Sequence, residues 1–353
     1  MDSIPPRVLG SVPADGATGV QSQEIQIRFD EYVTLDRANE QVLISPPGKS
    51  QPIMKAVGKK VSVTLNDSLQ PNTTYTIYFG DAIRDNNEKN AVRDYTLSFS
   101  TGDKIDSLWL SGRAWFAETL KPAVGVIVGI HPATAEDSVV SKQPFLRIAR
   151  TDSTGQFSIR HIGEGTYRVY ALSDSNRNYT YERNEPIAFM EQPVTVSDSG
   201  LVLRLFNCLI PKDTAKLKVD SLAADSLTRD SIRQDTAQVK KAKAEVKATA
   251  SLRVVVEPTD TSIYVQLLGG KDDVVATEVA GERGDVLFKE LKAGTYMLRL
   301  YVDLNGDSLW TTGDYYEKRQ PEPMYYFPKR LKIRDNWDFE ETFRWKEESG
   351  RPK

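Results

Sequence analysis

Cysteine and histidine are almost absent from this chain. Of its 353 residues, one is a cysteine, Cys208, and two are histidines, His131 and His161. A single cysteine excludes an intramolecular disulfide and a thiolate metal cluster. A zinc site or a Ser-His-Asp triad would need one of the two histidines in the right place. Both lie in strand-like sequence, so we predict that they are ordinary strand or edge residues.

Long apolar runs and an excess of basic charge are also missing. No stretch of about 18 apolar residues occurs, so no membrane-spanning helix is predicted. The chain carries 46 basic and 49 acidic residues, a formal net charge of −3. Because there is no basic surplus to neutralise phosphates, we expect no nucleic-acid partner.

A segment that occurs twice is the most informative feature that is present. Residues 155–178 align without a gap on residues 284–307. Both copies have two glycines ten positions apart, then Gly-Thr-Tyr, then an Asp-x-Asn-x-Asn/Asp run that begins seven residues after the tyrosine. Two matched modules are more typical of a binding or scaffolding protein than of an enzyme. The length suits two to four domains of about 100 residues.

Residues 5–101 alternate apolar and polar side chains in short bursts. Ile25–Phe29, Val61–Leu65, Tyr75–Phe79 and Tyr95–Phe99 each place their apolar side chains on one face of a strand. Proline, glycine and asparagine clusters separate the bursts. Strands at this spacing without a helical period predict a β-sandwich.

Four landmarks in this region carry a resemblance to a known domain. They are Val-Pro-Ala-Asp-Gly-Ala-Thr-Gly-Val over Val12–Val20, Ile27–Glu31, Leu-Gln-Pro-Asn-Thr-Thr-Tyr over Leu69–Tyr75, and Phe99–Gly102. In this order they resemble the bacterial Ig-like domain of surface-layer and Bacteroidota surface proteins. The resemblance implies an Ig-like sandwich over residues 1–103.

The repeated segments belong to a second kind of module. Residues 104–210 open with Leu108–Trp115 and continue with Thr151–Ile159 and Gly165–Tyr170. This pattern resembles the carboxypeptidase regulatory-like fold, a transthyretin-type sandwich of seven strands without catalytic residues of its own. The repeat extends the resemblance to residues 250–347. We therefore predict an all-β chain of tandem β-sandwiches, one Ig-like and two transthyretin-type.

Residues 211–249 form a spacer of different composition, and residues 348–353 a short tail. Asp-Ser/Thr-apolar triplets recur with a period of five, and a lysine-rich stretch follows. A flexible, low-complexity spacer is predicted, with a marginal surface helix over residues 228–246 as the alternative.

The triplets in the spacer resemble the O-glycosylation signal of Bacteroidota, which acts on exported proteins. The alternative is that Asp-Ser is simply common in solvated linkers. The resemblance implies glycosylation of five hydroxyl side chains: Thr214, Ser221, Ser226, Ser231 and Thr236.

The polar run in the second copy has the spacing of a calcium loop. Asp303, Asn305, Asp307, the carbonyl of Leu309 and Asp314 stand at positions 1, 3, 5, 7 and 12. The sixth position lacks the glycine of an EF-hand, and no helices are expected beside the loop. The alternative is a polar turn that closes a β-hairpin. No other cofactor is predicted.

The first copy has a weaker version of the same loop. Asp174, Asn176 and Asn178 supply one carboxylate fewer, and Glu185 stands at position 12. Because the loop occurs in both copies, we interpret it as part of the fold.

Aromatic side chains are the remaining candidates for binding. They provide either a platform for sugars or proteins or, as in most small sandwiches, core packing. The candidates are Trp109, Trp115, Trp310, Tyr315, Tyr316, Tyr325, Tyr326 and Trp337.

The whole arrangement resembles a Bacteroidota family of outer-membrane lipoproteins with an amino-terminal Ig-like domain. Asp2–Arg7 resembles the stretch after the lipidated cysteine of that family, although the cysteine itself is absent here. The opening reads like a linker, and we expect the natural protein to carry an export signal ahead of it. The resemblance implies a lipid anchor in the outer membrane, at the cell surface or on the periplasmic face.

The expected function is therefore that of a non-catalytic scaffold or protein-binding accessory subunit. The host would be an outer-membrane complex for β-barrel assembly or nutrient uptake. The alternative is a surface glycan-binding protein for polysaccharide capture. A hydrolase is disfavoured, because the acidic pairs of the sequence are adjacent in strand-like segments and point to opposite faces.

Overall fold

The structure is a computed structural model, and it describes residues 3–209, 250–258 and 262–345. The spacer over residues 211–249, its five candidate glycosylation sites and the tail lie outside the described residues. The chain divides into two units. Unit 1 comprises Met1–Leu209 and Thr312–Pro321, and unit 2 comprises Ile210–Thr311 and Glu322–Lys353. No helix in the described part of the chain is long and apolar enough to cross a membrane.

The amino-terminal domain of unit 1 is built from short strands and one helical turn. Its elements are β1 (Val8–Val12), β2 (Glu24–Phe29), β3 (Val33–Leu35), α1 (Ala38–Gln41), β4 (Leu43–Ser45), β5 (Ile53–Val57), β6 (Lys60–Thr64), β7 (Thr74–Tyr78), β8 (Ile83–Asp85) and β9 (Thr96–Ser100). The sheets are β1-β2-β6-β5, β4-β7-β9 and the pair β3-β8, all antiparallel.

The core of this domain follows from the period-two pattern. Ile25, Ile27 and Phe29 of β2 are buried, and Gln26 and Arg28 between them are more exposed. The apolar side chains of β6, β7 and β9 join the same buried cluster, so the two larger sheets pack face to face. The predicted sandwich is confirmed.

A single carboxylate organises the turn after β8. Oδ1 of buried Asp85 accepts the backbone N–H groups of Asn87, Glu88 and Lys89 at 2.8, 2.6 and 3.0 Å, and Oδ2 accepts that of Asn90 at 2.7 Å. Burial alone would raise the pKa of Asp85, but the four N–H groups favour the ionised form and lower the pKa below its usual value.

The second sandwich, residues 104–209, completes most of unit 1. Its elements are β10 (Leu108–Phe116), β11 (Ile127–Pro132), α2 (Val139–Lys142), β12 (Arg147–Arg150), β13 (Gln156–Ile162), β14 (Thr166–Leu172), β15 (Ile187–Phe189), β16 (Val194–Thr195) and β17 (Leu201–Leu205). One sheet is β13-β10-β17, with β10 and β17 parallel; the other is β12-β11-β14-β15, with β16 also on β14. Both sheets contribute to one buried cluster.

Gly112 permits the parallel pair of the second sandwich. A Cβ at this position would lie 2.2 Å from the backbone oxygen of Leu201, its register partner on β17. Any side chain would therefore force β10 and β17 apart, because backbone atoms cannot yield as a flexible side chain can.

The third sandwich spans residues 250–345 and forms the described part of unit 2. The segment Thr312–Pro321 within this range belongs to unit 1. Its strands are β18 (Ala250–Glu257), β19 (Ile263–Leu268), β20 (Val274–Val279), β21 (Asp285–Leu291), β22 (Gly294–Val302), β23 (Met324–Tyr326), β24 (Leu331–Ile333) and β25 (Asp338–Arg344). The sheets are β21-β18-β25, with β18 and β25 parallel, and β20-β19-β22-β23, with β24 also on β22. They also share one buried cluster.

The second and third sandwiches repeat each other strand for strand. β18 to β25 pair in the same order and direction as β10 to β17. Fine details repeat as well: the hydroxyl of Tyr167 donates to the oxygen of Gly163 at 3.0 Å, and that of Tyr296 donates to the oxygen of Lys292 at 3.0 Å. The all-β prediction with tandem sandwiches is confirmed.

Residues Thr312–Pro321, which we name the tyrosine arm, are part of unit 1. Tyr315 is buried against the rings of Tyr181 and Phe189, with ring centroids 5.4 and 5.5 Å apart. Its hydroxyl donates a hydrogen bond to the backbone oxygen of Asp137. The arm therefore contributes a core side chain to unit 1 although it lies far along the chain.

Charged and polar groups hold the arm as well. The ammonium of Lys318 lies 4.1 Å from the ring centroid of Tyr315 and 3.7 Å from the carboxylate of Asp137. The side-chain amide of Gln320 donates to the backbone oxygen of Phe189 at 3.0 Å.

Substitution of Tyr315 is expected to destabilise unit 1. Removal of a large buried ring costs about 3–5 kcal/mol, so Tyr315→Ala should lower the free energy of unfolding of unit 1 by that amount. Tyr316→Ala is the matched control, because Tyr316 is 56% exposed, and should change it by less than about 1 kcal/mol. Urea denaturation measures both. Equal effects of the two variants would contradict the buried position of Tyr315.

Substitution of Asp85 is expected to weaken the amino-terminal domain in a pH-dependent way. Asn offers one oxygen where the carboxylate offers two, so Asp85→Asn should lower the melting temperature at neutral pH. Because the pKa of Asp85 is lowered on folding, its contribution is present above the pKa of the unfolded chain and is lost as the pH falls through the folded pKa. The difference between wild type and variant should therefore shrink in acid.

The control for this experiment is Asp103→Asn at an exposed position of the same domain. Melting curves from pH 7 downward test both variants. A difference for Asp85→Asn that stays constant or grows as the pH falls would contradict the assignment.

Candidate functional site

A cleft of about 510 Å³ opens between the amino-terminal domain and the second sandwich, both within unit 1. One wall is formed by β4, the proline-rich segment after it and residues 65–70. The other wall is formed by residues 142–145, Arg150 at the end of β12, and Arg177 and Tyr179 from the loop after β14. The volume lies within the range typical of ligand pockets.

The floor of the cleft is apolar. Val42, Ile44, Met54 and Phe145 line it. The ring of Phe145 covers Gly129 of β11, where a Cβ would lie 2.2 Å from the ring. The glycine therefore sets the depth at which the floor lies.

The rim of the cleft carries an excess of positive charge. Lys49, Lys142, Arg150 and Arg177 line it, and Asp67 is the one carboxylate among the lining residues of the described chain. Lys142 is paired with Glu136 at 3.5 Å, so an anionic group in the cleft would meet chiefly Lys49, Arg150 and Arg177.

Asp67 is already engaged within its own wall. Its oxygens accept the backbone N–H of Ser50 at 2.9 Å and the hydroxyl of Ser50 at 2.8 Å. The bond from the backbone N–H is the main reason why the pKa of Asp67 is lowered.

The two arginines are held in place by backbone oxygens. One terminal nitrogen of Arg150 donates to the oxygens of Glu40 and Gln41 at 2.8 and 3.3 Å, and one of Arg177 donates to the oxygen of Asn39 at 2.7 Å. None of the ion pairs formed by the described residues involves either guanidinium. Burial lowers the pKa of Arg150, and the neighbouring Arg177 lowers it further.

A buried arginine, Arg147, organises the second-sandwich side of the junction between the two domains. The Nε of Arg147 donates to the backbone oxygen of His161 at 3.0 Å and one terminal nitrogen donates to that of Leu146 at 2.9 Å. The other terminal nitrogen lies 3.7 Å from the carboxylate of Asp106. Burial lowers the pKa of Arg147, while Asp106 acts in the opposite direction.

Hydrogen bonds across the junction surround this arginine. The N–H of Ile148 donates to the buried hydroxyl of Ser45 at 3.0 Å. The Nδ1 of His161 lies 2.9 Å from the backbone oxygen of Asp106, and its Nε2 lies 3.1 Å from the hydroxyl of Ser98. Since the oxygen of Asp106 can only accept, Nδ1 is the donor in that hydrogen bond. His161 is thus a junction residue with a structural role.

His131 is buried beside the floor of the cleft. Its ring lies 5.2 Å from that of Phe145 and 6.2 Å from that of Tyr170. Burial lowers the pKa of His131 to about 4, so the ring is neutral at physiological pH.

The candidate calcium loop of unit 2 is held by its own hydrogen bonds. The two carboxylate oxygens of Asp303 accept the N–H groups of Gly306 and Ser308 at 2.7 and 2.9 Å. The side-chain oxygen of Asn305 accepts the N–H of Asp307 at 2.9 Å. These side chains therefore lie together in one loop.

Glu322, which the sequence pattern did not single out, closes this loop. Its carboxylate oxygens accept the N–H groups of Leu304 and Thr311, both at 2.8 Å. The side chain is buried, and this burial raises its pKa.

The loop of the second sandwich has the same bonds. Asp174 accepts the N–H groups of Arg177 and Tyr179 at 2.6 and 2.9 Å, and Glu185 accepts that of Ser175 at 2.9 Å. Each closing glutamate is followed by a proline and then by a strand. Eleven positions separate Asp174 from Glu185, but nineteen separate Asp303 from Glu322, and the longer loop includes the tyrosine arm. The Glu-Pro pair that both copies share is the sequence signal by which Glu322 could have been found.

Asp314 and Leu309 complete the predicted calcium set. The N–H of Leu309 donates to Asp307 at 2.9 Å. Asp314 lies in the tyrosine arm of unit 1, where it accepts the N–H of Tyr316 at 2.8 Å. Within residues 3–209, 250–258 and 262–345, no group of three or more His, Cys, Asp or Glu side chains is arranged to hold a metal ion. The calcium loop, which also uses neutral oxygens, stays a prediction.

The candidate aromatic side chains divide between core and surface. Tyr315, Tyr325 and Tyr326 are buried, and Trp310 donates from its indole nitrogen to the backbone oxygen of Glu322 at 2.9 Å. Trp109, Tyr316 and Trp337 are exposed. No ring contact joins any two of these exposed rings in the described chain.

Comparison with known proteins identifies one domain. Residues 2–101 match the model of the bacterial Ig-like domain family. No curated protein matches the chain.

Several solved structures share a distant likeness. They include the Bacillus anthracis TIE protein, at 11% identity over 98% of this chain and 58% of that one, with a TM-score of 0.18. An L,D-transpeptidase from Mycobacterium smegmatis has 17% identity over 46% of this chain and 79% of that one, with a TM-score of 0.21. GBS52, the minor pilin of Streptococcus agalactiae, has 11% identity over 67% of this chain and 95% of that one, with a TM-score of 0.19.

This chain thus spans 58% of the length of the TIE protein. At such low TM-scores these likenesses carry no argument about function. The family match confirms the first resemblance: the amino-terminal domain of this chain, over residues 2–101, is a bacterial Ig-like domain.

Proposed function

We propose that this protein is a non-catalytic component of the bacterial cell envelope that binds partner proteins. In this proposal it is an accessory subunit of an outer-membrane complex for β-barrel assembly or nutrient uptake, held at the membrane by a lipid anchor. The bacterial Ig-like domain and the tandem sandwiches support a scaffold. The single observation that carries the proposal is the difference between two equivalent edge strands.

The edge strand β12 of the second sandwich is already covered by another domain. Arg147, Ile148 and Ala149 are all buried, and the outward N–H of Ile148 bonds to Ser45 of the Ig-like domain. This edge therefore serves as a docking surface for a β-sandwich.

Among the described residues, the equivalent edge strand β20 of the third sandwich is uncovered. In the described part of the chain, β20 pairs on one side with β19 and with no strand on the other. Val274, Val275 and Val279 are 48%, 49% and 54% exposed. Uncovered apolar edges are templates for pairing with another chain unless a partner protects them.

The absence of convergent reactive groups supports a non-catalytic role. Of the two histidines, His161 bonds to Ser98 of the Ig-like domain and to Asp106 of its own sandwich, and His131 is buried among aromatic rings. Neither histidine has a carboxylate or nucleophilic cysteine as a hydrogen-bond partner among the described residues.

The alternative, glycan capture, requires adjacent exposed rings on one face. The exposed rings stand on separate elements: Tyr32 before β3, Trp109 on β10, Tyr316 in the tyrosine arm and Trp337 before β25. Protein binding is therefore the function that the geometry supports best.

A charge on the edge of β20 is expected to remove the partner. Val275→Lys and Val279→Lys, introduced together in the full-length lipidated protein, would bury two unpaired ammonium groups in a strand-to-strand contact. Recovery of the partner after mild crosslinking in native outer membranes should fall about tenfold or more, as measured by quantitative mass spectrometry.

The matched control is Val124→Lys, an exposed valine outside the strands, which should leave recovery unchanged. The proposal predicts that the wild type recovers one integral barrel or transporter in stoichiometric amount. Recovery of the wild-type protein alone would contradict protein binding and favour glycan capture. Equal recovery of the partner with the wild type and with the β20 variant would contradict the assignment of β20 as the partner-binding edge.

A further inference from the structure

The cleft of unit 1 has more cations than carboxylates among its lining residues. In the described chain it is lined by Lys49, Lys142, Arg150 and Arg177 and by one carboxylate, Asp67, which Ser50 engages. Lys142 also pairs with Glu136 at 3.5 Å, whereas neither arginine has an ion-pair partner in the described chain. The chain as a whole has a net charge of −3. The positive rim is therefore a local feature and does not reflect a basic protein.

Arg150 and Arg177 are positioned before any ligand arrives. Each donates from one terminal nitrogen to oxygens of the segment Asn39–Gln41, which fixes the side chain and leaves the rest of the guanidinium on the cleft wall. A guanidinium fixed in this way loses little conformational freedom when it binds a carboxylate.

Arg150 is held by the backbone oxygens of Glu40 and Gln41, and its surroundings lower its pKa. Burial disfavours its charged form, and the nearby Arg177 adds repulsion. A carboxylate between the two would relieve both effects, because an opposite charge at short range favours the charged form of each arginine.

The apolar floor sets a second requirement on the ligand. Ile44, Met54 and Phe145 offer contact to hydrocarbon groups and no charge. A ligand that satisfies both floor and rim must carry carboxylates and apolar side chains close together. An extended acidic peptide does so, because alternate side chains of a strand point to opposite faces.

We infer that the cleft of unit 1 binds an extended segment of a partner protein in which acidic and apolar residues alternate, with the acidic side chains on Arg150 and Arg177 and the apolar ones on the floor. The inference rests on the proposed function, since the segment belongs to a partner. It adds a second contact surface with a defined chemistry.

Selection from a library tests the inference without knowledge of the partner. The purified full chain is used to select binders from phage-displayed random decapeptides at low ionic strength. The enriched sequences should contain two or more Asp or Glu residues interspersed with Leu, Ile, Val or Phe. An enrichment without acidic residues, or no enrichment at all, would overturn the inference.

Variants then locate the binding of the synthetic form of the most enriched peptide by fluorescence polarisation. Arg150→Met should weaken binding about tenfold or more, because it removes a charge-assisted hydrogen bond. Lys49→Gln, which changes an exposed side chain and leaves the fold intact, should weaken binding about two- to fivefold. Arg160→Met, an exposed arginine of β13 outside the cleft, is the control and should have no effect.

Ionic strength separates the cleft from a purely apolar surface. An increase from about 0.01 M to about 0.15 M shortens the Debye length from about 30 to about 8 Å, so the peptide should bind more weakly. Equal affinity for the wild type, Arg150→Met and Lys49→Gln would overturn the inference. Tight binding of polygalacturonate would also overturn the inference if Arg150→Met and Lys49→Gln abolish it and the peptide does not compete with it.

The outcomes are distinct from those of the membrane experiment. If the native pull-down recovers a partner but the selection fails, the cleft assignment falls and protein binding through β20 stands. If the selection succeeds but the pull-down recovers nothing, the peptide site stands and the proposed membership of an outer-membrane complex falls.

Discussion

The buried guanidinium of Arg147 holds residues of the second sandwich that contact the Ig-like domain. It bonds to backbone oxygens of its own sandwich and lies 3.7 Å from the carboxylate of Asp106, which accepts the hydroxyl of Thr74 of the Ig-like domain at 3.1 Å. A buried charge is tolerated only where its surroundings satisfy it, so this geometry admits little rotation of one domain over the other. The cleft depends on that restriction, because Arg150 on one wall must stay within hydrogen-bond distance of Glu40 on the other.

Two copies of one sandwich use the same edge differently. In the second sandwich, β12 is covered by the Ig-like domain, and its residues are arginine, isoleucine, alanine and arginine. In the third, β20 presents exposed valines at the corresponding edge. The closing loops repeat more closely, since Glu185 and Glu322 accept equivalent backbone N–H groups. The core and the loops are thus common to both copies, and the copies differ at this edge.

Local patterns in the sequence were sufficient for the fold, but contacts between distant segments were not predictable. The period-two bursts such as Ile25–Phe29 and the repeated Gly-Thr-Tyr predicted strands and a duplicated sandwich, because both are short-range signals. The cleft was missed, since Lys49 and Arg177 are distant in sequence and no motif connects them. The burial of Tyr315 in unit 1 was missed for the same reason: nothing near residue 315 indicates the rings of Tyr181 and Phe189.

Amide hydrogen exchange of the full chain tests most directly whether the Ig-like domain and the second sandwich form one body. The N–H groups of Ile148 and Asp106 donate to side-chain oxygens across the junction, both at 3.0 Å. If the two domains form one body, both amides should exchange as slowly as that of Val128 in the buried strand β11, and Arg147→Met should accelerate the junction amides but not Val128. Fast exchange of Ile148 and Asp106 in the wild type, with Val128 protected, would show instead that the domains move independently.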